Sequence, residues 1–102
     1  MLTQDKIFYS LADPGRRSIL RMLSENEMTV NSIAEKFNIS RPAVSKHLKI
    51  LYNSNLVKQR QSGRERYYRL NPQPLNEIYK WLEYFDKFWD KKLNSLKNHI
   101  EK

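Results

Sequence analysis

Two short helical segments separated by only three residues constrain the fold of this chain more than any other feature. Residues 30–37 repeat apolar side chains at helical spacing, and residues 41–51 do so again. The residues between them, Asn38 to Ser40, are too few for anything but a tight turn. Two helices joined in this way, the second of them basic, form the helix-turn-helix pattern.

The ends of both helices carry the residues that helix ends prefer. Thr29 and Ser40 are predicted N-caps, because their hydroxyl oxygens can accept a hydrogen bond from the backbone N–H groups of the first turn. Pro42 lies in that first turn, where its missing N–H costs nothing. Asn38 tolerates the left-handed conformation that closes a helix. We therefore predict a helix-turn-helix over residues 29–53.

The second of these helices has one apolar side and one basic side. At 100° per residue, Val44, Leu48 and Leu51 share an edge that should pack inward. The opposite side, its flank and the start of the helix offer cationic and hydrogen-bonding groups, contributed by Arg41, Pro42, Ser45, Lys46 and Lys49. Such groups reach base edges and phosphate oxygens in a DNA major groove. A solvated charged face, which is common on surface helices, is the alternative interpretation.

Positive charge concentrates in this part of the chain. Residues 41–69 contain eight Lys or Arg residues and one acid, so the segment carries +7, while all 102 residues carry +8. A concentrated cationic surface is typical of proteins that bind a polyanion. The distribution of charge therefore favours double-stranded DNA as the partner.

Residues 57–70 are predicted to form a β-hairpin beside this helix. Its tip is Ser62–Glu65, where Gly63 supplies the positive φ that a tight hairpin requires. A hairpin that follows a helix-turn-helix is a wing, placed to reach the adjacent minor groove or its phosphates. Arg64 is the strongest candidate for that contact, with Arg66 beside it, because arginine recurs in narrow minor grooves. The remaining basic residues of the hairpin are assigned to backbone contacts or solvent: Lys58, Arg60 and Arg69.

Arg16 has two interpretations at this level. It lies in the first turn of an earlier helix, which begins with Asp13 as N-cap and Pro14, and ends near Ser24 before a polar turn. A cation in that turn opposes the helix dipole, at a cost of roughly a few tenths of a kcal/mol. Either a DNA phosphate or an acidic residue of the last helix could offset this cost. We include Arg16 among the candidate DNA-binding residues.

The C-terminal part of the chain is predicted to form one long amphipathic helix over residues 75–100. Apolar side chains recur along it at spacings of three and four, and a small core cannot cover them all. A second subunit is the expected cover. The candidate dimer contacts on this helix are Leu82, Phe85, Trp89 and Leu93.

Other classes of protein lack support in the sequence. Without cysteine the chain has no disulfide framework and no thiolate metal site. No signal peptide or membrane span is recognisable, so we expect no membrane partner and a cytoplasmic location. No Ser/His/Asp set, glycine-rich phosphate loop or acid–base pair is visible, so we expect neither enzyme activity nor a cofactor. His47 is predicted to be a partly buried structural residue.

In four blocks, taken in order, the sequence resembles the ArsR family of bacterial winged-helix repressors. The blocks are residues 11–20, residues 28–37, residues 39–51 and the wing that ends in R-Y-Y-R-L at Leu70. The resemblance implies repression that an inducer relieves, and a homodimer built from the last helix and a short first helix, which Ile7, Phe8 and Leu11 indicate. Ile7 and Phe8 are therefore added to the candidate dimer contacts. The resemblance also implies that Ser45, Lys46 and their neighbours read a pseudo-palindromic operator.

The metal-sensing members of that family provide a contrast. They place cysteines in the third helix, where this chain has Val30 to Ile33, or use Asp, His and Glu sets on the last helix. This chain therefore resembles the metal-independent members, some of which regulate their own operons. The chemistry of the inducer is not readable from the sequence.

The sequence thus predicts a mainly α protein with a small β-hairpin wing, in which residues 1–102 form one winged helix-turn-helix domain. Residues 29–53 are its helix-turn-helix, residues 57–70 its wing and residues 75–100 its dimerisation helix. The expected function is sequence-specific repression of its own or a neighbouring operon. Two alternatives are a winged-helix protein–protein adaptor and a sequence-neutral architectural DNA binder. The +7 segment counts against the adaptor, and the lack of an apolar wedge on the reading face counts against the architectural binder.

Overall fold

The computed structural model describes residues 3–88, and within that range the chain forms five helices and three strands. In order these are α1 (Thr3–Leu11), α2 (Pro14–Glu25), β1 (Met28–Thr29), α3 (Val30–Phe37), α4 (Arg41–Asn53), β2 (Val57–Ser62), β3 (Glu65–Leu70) and α5 (Leu75–Glu83). The helices and a small three-stranded antiparallel sheet share one buried apolar core. This arrangement confirms the predicted fold class, a mainly α protein with a β-hairpin wing.

The starts of α2, α3 and α4 carry the caps that the sequence predicts. The side-chain oxygens of Asp13, Thr29 and Ser40 each accept a hydrogen bond from the backbone N–H three residues later, at 3.0, 3.2 and 3.3 Å. Asn38, directly after α3, has a left-handed φ of 55°. These local interactions fix where α3 ends and where α4 begins, and so they set the tight turn between the two helices.

The core forms where the first four helices meet the sheet. Val44, Leu48 and Leu51 of α4 are at most 1% exposed, which confirms the predicted inward edge of that helix. They join the other buried apolar residues, which are Ile7, Ile19, Leu20, Leu23, Met28, Ile33, Ala34, Leu56 and Val57. Burial of each large apolar side chain stabilises the fold by roughly 1.5–3 kcal/mol. Because its inner edge is anchored in this way, α4 holds its outer face in a fixed orientation.

The predicted wing is the hairpin of β2 and β3. These strands pair up to Ser62 and Glu65, which leaves Gly63 and Arg64 as a two-residue tip. Gly63 has a φ of 61°, as the tight turn requires. A short tip of this kind holds the ends of both strands close together, so the basic side chains around it project from a defined edge.

Strand β1 was not expected from the sequence, which predicted a polar turn before the third helix. Met28 and Thr29 instead pair with Tyr68 and Tyr67 of β3, so the sheet has the order β1-β3-β2. Met28 is buried in the core. Two residues are too few to show the alternation that identifies a strand, and only their distant partner in β3 makes them one.

The last helix differs from the predicted continuous helix over residues 75–100. α5 ends at Glu83, and the next two residues form a turn in which the Phe85 N–H bonds the Leu82 carbonyl, only three residues back, at 2.9 Å. Aromatic side chains, which are weak helix formers, are concentrated here, and the tightened turn places the Phe85 ring 4.9 Å from the ring of Trp81. Residues 86–88 are helical again. The part of the predicted helix after residue 88 lies outside the described residues, with the candidate dimer contacts Trp89 and Leu93.

Candidate nucleic-acid interface

The outer face of α4 presents the predicted polar residues to solvent. Arg41, Pro42, Ser45, Lys46 and Lys49 are all exposed, while the opposite edge of the helix is buried. The ion pairs among residues 3–88 involve neither lysine. Both ammonium groups are therefore available to a negatively charged ligand.

A groove of about 450 Å³ lies between the helix-turn-helix and the wing. One wall comes from the starts of α3 and α4, and the other comes from the hairpin tip. The groove brings together five of the predicted DNA-binding residues, which are Arg41, Pro42, Ser45, Arg64 and Arg66. The fold thus joins the two predicted reading elements into one continuous basic surface.

Two of the groove arginines are held by amide side chains. Arg41 donates from Nη1 to Oδ1 of Asn31 at 3.2 Å, and Arg66 donates from Nε to Oε1 of Gln61 at 3.3 Å. Gln61 in turn donates from Nε2 to the carbonyl oxygen of Gly63 at 3.1 Å. Sequence reasoning missed both amides, because nothing local to either residue indicates an arginine partner.

Arg60 has a partner that the sequence did not reveal. It donates from Nε to Oε2 of Glu27 at 2.8 Å, and its guanidinium lies 4.6 Å from the centre of the Tyr67 ring. Glu27 belongs to the turn between α2 and β1. This ion pair links the wing to the turn before β1, but 53% of the Arg60 side chain stays exposed, so its assignment to the DNA backbone or to solvent stays a prediction.

The structure contradicts the assignment of Arg16 to DNA. Arg16 is 8% exposed, and it donates from Nε to the carbonyl of Ser10 at 2.8 Å and from Nη2 to that of Tyr9 at 3.0 Å. Both carbonyls belong to the last turn of α1, where intrahelical partners run out. The alternative partner, an acid of the last helix, does not pair with Arg16 in the described residues. The guanidinium instead caps α1.

His47 is partly buried, as predicted, on the flank of α4. Its Nε2 lies 4.0 Å from Oδ2 of Asp13, and Gly15 permits this approach because a Cβ there would lie 2.9 Å from the same oxygen. The backbone N–H of Arg16, and then the positive charges of Arg16 and His47, lower the pKa of Asp13. Among residues 3–88, no group of three or more His, Cys, Asp or Glu side chains could hold a metal ion.

The candidate dimer contacts fall into two groups. Ile7 is fully buried in the core of its own chain, so the prediction that it contacts a partner is wrong. Phe8 lies half-buried with its ring 5.3 Å from that of Trp81, and Leu82 is 43% exposed beside the half-buried Phe85.

No helix in the described range combines the length and the apolar character needed to span a membrane.

Residues 13–59, from the cap of α2 into β2, match a family described as "Bacterial regulatory protein, arsR family". The chain is 38% identical over 78 residues to the transcriptional repressor SdpR of Bacillus subtilis, covering 76% of this chain and 87% of SdpR. It is 36% identical over 97 residues to the HTH-type transcriptional regulator Rv2034 of Mycobacterium tuberculosis, covering 95% of this chain and 88% of Rv2034.

Among solved structures, an ArsR-like transcriptional regulator from Rhodococcus sp. RHA1 superposes with a TM-score of 0.74 at 32% identity, over 94% of this chain and 91% of that one. A possible transcriptional regulator for arsenical resistance superposes with a TM-score of 0.70 at 39% identity, over 97% of both chains.

Proposed function

Because this chain belongs to the ArsR family of bacterial regulatory proteins, we propose that it binds DNA as a dimeric, sequence-specific transcriptional repressor. The proposed contacts are Arg41, Pro42, Ser45, Lys46 and Lys49 of the helix-turn-helix and Arg64 and Arg66 of the wing. Arg16 leaves this set because it is buried against α1.

One observation carries the proposal, which is the contrast between the two sides of α4. Val44 and its neighbours on the inner edge are buried, while Ser45, Lys46 and Lys49 are exposed on a rigid helix. A B-DNA major groove, about 12 Å wide, admits an α-helix, and lysine and serine side chains can hydrogen-bond its base edges. An anchored helix with such groups on its outer side is suited to reading sequence.

The wing extends the same surface. Arg64 lies at the hairpin tip and Arg66 on the adjoining strand, and both line the groove that begins at Arg41. Arginine at such a position can enter a narrow minor groove or contact its phosphates. We therefore assign base recognition in the major groove to α4 and backbone or minor-groove contact to the wing.

The apolar surface left exposed on α5 and on the residues that follow it supports the proposal of a homodimer. Trp81, Leu82, Tyr84 and Phe88 are between 43% and 69% exposed, which is unusual for four large apolar side chains so close together. A two-fold axis through this surface would place two copies of α4 in successive major grooves, roughly 34 Å apart, on a pseudo-palindromic operator. Leu82→Asp should make the protein sediment as a monomer, and an unchanged sedimentation coefficient would count against this surface.

The biological role that we propose is repression of its own or a neighbouring operon in the cytoplasm, relieved by an inducer. SdpR, a relative that covers most of the same fold, is named a transcriptional repressor. Neither an enzymatic reaction nor a bound metal is part of this proposal. Binding to DNA can be measured without knowledge of the inducer.

Fluorescence anisotropy tests the function directly. The protein is titrated against a labelled duplex from upstream of its own gene, with a scrambled duplex as competitor, over a series of salt concentrations. A preference of roughly a thousand-fold or more for the upstream duplex is expected of a specific regulator. Equal, salt-sensitive binding to both duplexes would favour an architectural binder, and no binding at low salt would favour an adaptor that docks through α5.

Lys46→Ala identifies the reading helix in the same assay. Lys46 is exposed on the outer face of α4 and packs against nothing in the core. The substitution should weaken binding to the preferred duplex more than binding to the scrambled one. Equal losses on both duplexes would show that Lys46 contacts only phosphates.

A further inference from the structure

The groove between the helix-turn-helix and the wing is lined by arginines whose charge the protein leaves uncompensated. Arg41, Arg64 and Arg66 face it, with Glu65 as the one acid in its lining. Among residues 3–88, the ion pairs join His47 to Asp13, Arg60 to Glu27 and Lys80 to Glu77, so none involves a groove arginine. The lining therefore keeps a net positive charge.

The partners that orient two of these arginines are amides rather than carboxylates. Arg41 donates to Asn31 at 3.2 Å, and both residues line the groove, whereas Arg66 lines the groove and donates at 3.3 Å to Gln61, which lies outside the lining. An amide oxygen accepts a hydrogen bond as a carboxylate does, but it carries no charge. Each guanidinium is therefore held in place and remains fully able to attract an anion.

The orientation of the Gln61 amide follows from its two neighbours. The carbonyl of Gly63 can only accept a hydrogen bond, so the Nε2 of Gln61 faces it at 3.1 Å. The oxygen of the amide then faces Arg66, which can only donate. The positive φ of Gly63, which shapes the hairpin tip, thus helps to orient the Arg66 side chain through Gln61.

We propose that this groove seats one backbone phosphate of the bound DNA, and that Asn31 and Gln61 are positioning residues that orient Arg41 and Arg66, both of which line it. This inference rests on the proposed function, and it adds two uncharged residues to the machinery of DNA binding. A phosphodiester suits the groove because paired guanidinium groups match the oxygens of a single phosphate. A neutral ligand carries no charge that the guanidinium groups could attract.

The test changes the charge of the positioning residues while keeping their shape. Asn31→Asp and Gln61→Glu preserve a hydrogen-bond acceptor for each arginine but neutralise its charge. Each should weaken binding to every duplex by roughly tenfold at 0.1 M salt, and should flatten the plot of log affinity against log salt by about 0.9 per protomer. Asn31→Ala, which leaves the charge of Arg41 intact, should preserve that slope.

Stability separates this role from a structural one. Asn31 lies in the first turn of α3, where an acidic residue interacts favourably with the helix dipole. Asn31→Asp should therefore bind DNA less tightly while its melting temperature stays equal to or above that of the wild type. Gln73→Glu is the matched control, since Gln73 is exposed before α5 and holds none of the groove arginines, and it should leave the salt slope unchanged.

The source of the phosphate is tested separately. Methylphosphonate, which removes the charge of one phosphate, is placed at successive positions along the duplex, and one position per half-site should weaken wild-type binding but have a smaller effect on Asn31→Asp. Tight binding of inorganic phosphate alone to the wild type, at micromolar concentrations, would overturn the inference by indicating a site for free phosphate. If the wild type binds duplex DNA but the two charge variants keep its affinity and slope, the inference fails and the proposed function stands. If the wild type binds no duplex, both fail.

Discussion

Replacement of Arg16 by methionine should destabilise the fold while leaving the DNA-binding surface intact. The guanidinium donates to two carbonyls at the end of α1, at 2.8 and 3.0 Å, and the residue is only 8% exposed. A hydrogen bond from a charged donor contributes about 1.5–3 kcal/mol, and a buried carbonyl left without a donor costs about 1–3 kcal/mol. Part of this loss is offset, because Met fills the space and removes a cation from the first turn of α2. We therefore expect a net loss of about 2–4 kcal/mol in the free energy of unfolding.

Urea denaturation followed by circular dichroism measures this loss. For a domain of this size each kcal/mol lowers the melting temperature by roughly 4–8 °C, so thermal melts should show the change as well. Arg17→Met is the matched control, because it removes the same charge from the adjacent residue. Arg17 donates to the Leu11 carbonyl at 2.7 Å, but on an exposed surface, and its replacement should cost under about 1 kcal/mol.

DNA binding by the Arg16→Met protein decides between the two interpretations of this residue. Measured well below the melting temperature, its affinity for the upstream duplex should match that of Arg17→Met. A variant with wild-type stability and much weaker DNA binding would refute the structural role. It would then place the guanidinium on the DNA, as the sequence alone suggested.

Three further perturbations test other parts of the molecule. Leu48→Ala removes a side chain that is 1% exposed beneath the reading helix, and it should cost about 2–5 kcal/mol in urea unfolding; a loss under about 1 kcal/mol would mean that α4 is not anchored by its inner edge. Arg64→Ala should weaken binding to specific and scrambled duplexes alike and reduce the salt slope by about 1, and an unchanged slope would remove the hairpin tip from the contact set. Asp13 has a lowered pKa in the fold, so its ionised form stabilises the protein above its ordinary pKa of 3.8, and this contribution disappears as the pH falls through the lower folded value. Asp13→Asn should therefore flatten the acid limb of a stability–pH curve below about pH 4, and a parallel displacement of the whole curve would contradict this assignment.

The parts of the fold that the sequence predicted are those set by neighbouring residues. Caps at Asp13, Thr29 and Ser40 depend on a backbone N–H three residues away, and the turn at Gly63 depends on its own φ. The inward edge of α4 follows from the period of one helix. Each of these signals lies within a few residues in the chain, so pattern and chemistry were enough to locate it.

The features that the sequence did not reveal depend on contacts between residues that lie far apart in the chain. Strand β1 exists because Met28 pairs with Tyr68, and Glu27 reaches Arg60 from the turn before β1, so neither contact leaves a local signal. Ile7 lies on the first helix, which the resemblance assigns to the dimer, but its burial depends on how α1 packs against the rest of the core. Packing between distant parts of the chain decides these outcomes, and no pattern of neighbouring residues indicates them.

The net charge of the basic segment therefore overstates the charge that faces DNA. Its +7 includes Arg60, which Glu27 neutralises from outside the segment at 2.8 Å. Arg16 lies outside the segment and is also committed, to the end of α1. The arginines of the groove differ from both because their partners are amides or absent among the described residues. A structural arginine of this protein is either paired with a carboxylate, as Arg60 is, or buried against carbonyls, as Arg16 is, whereas a groove arginine is exposed and forms no ion pair among the described residues. A count of Lys and Arg along the chain cannot distinguish these cases, whereas substitution of Asn31 or Gln61 by the corresponding acid converts the second kind of arginine into the first.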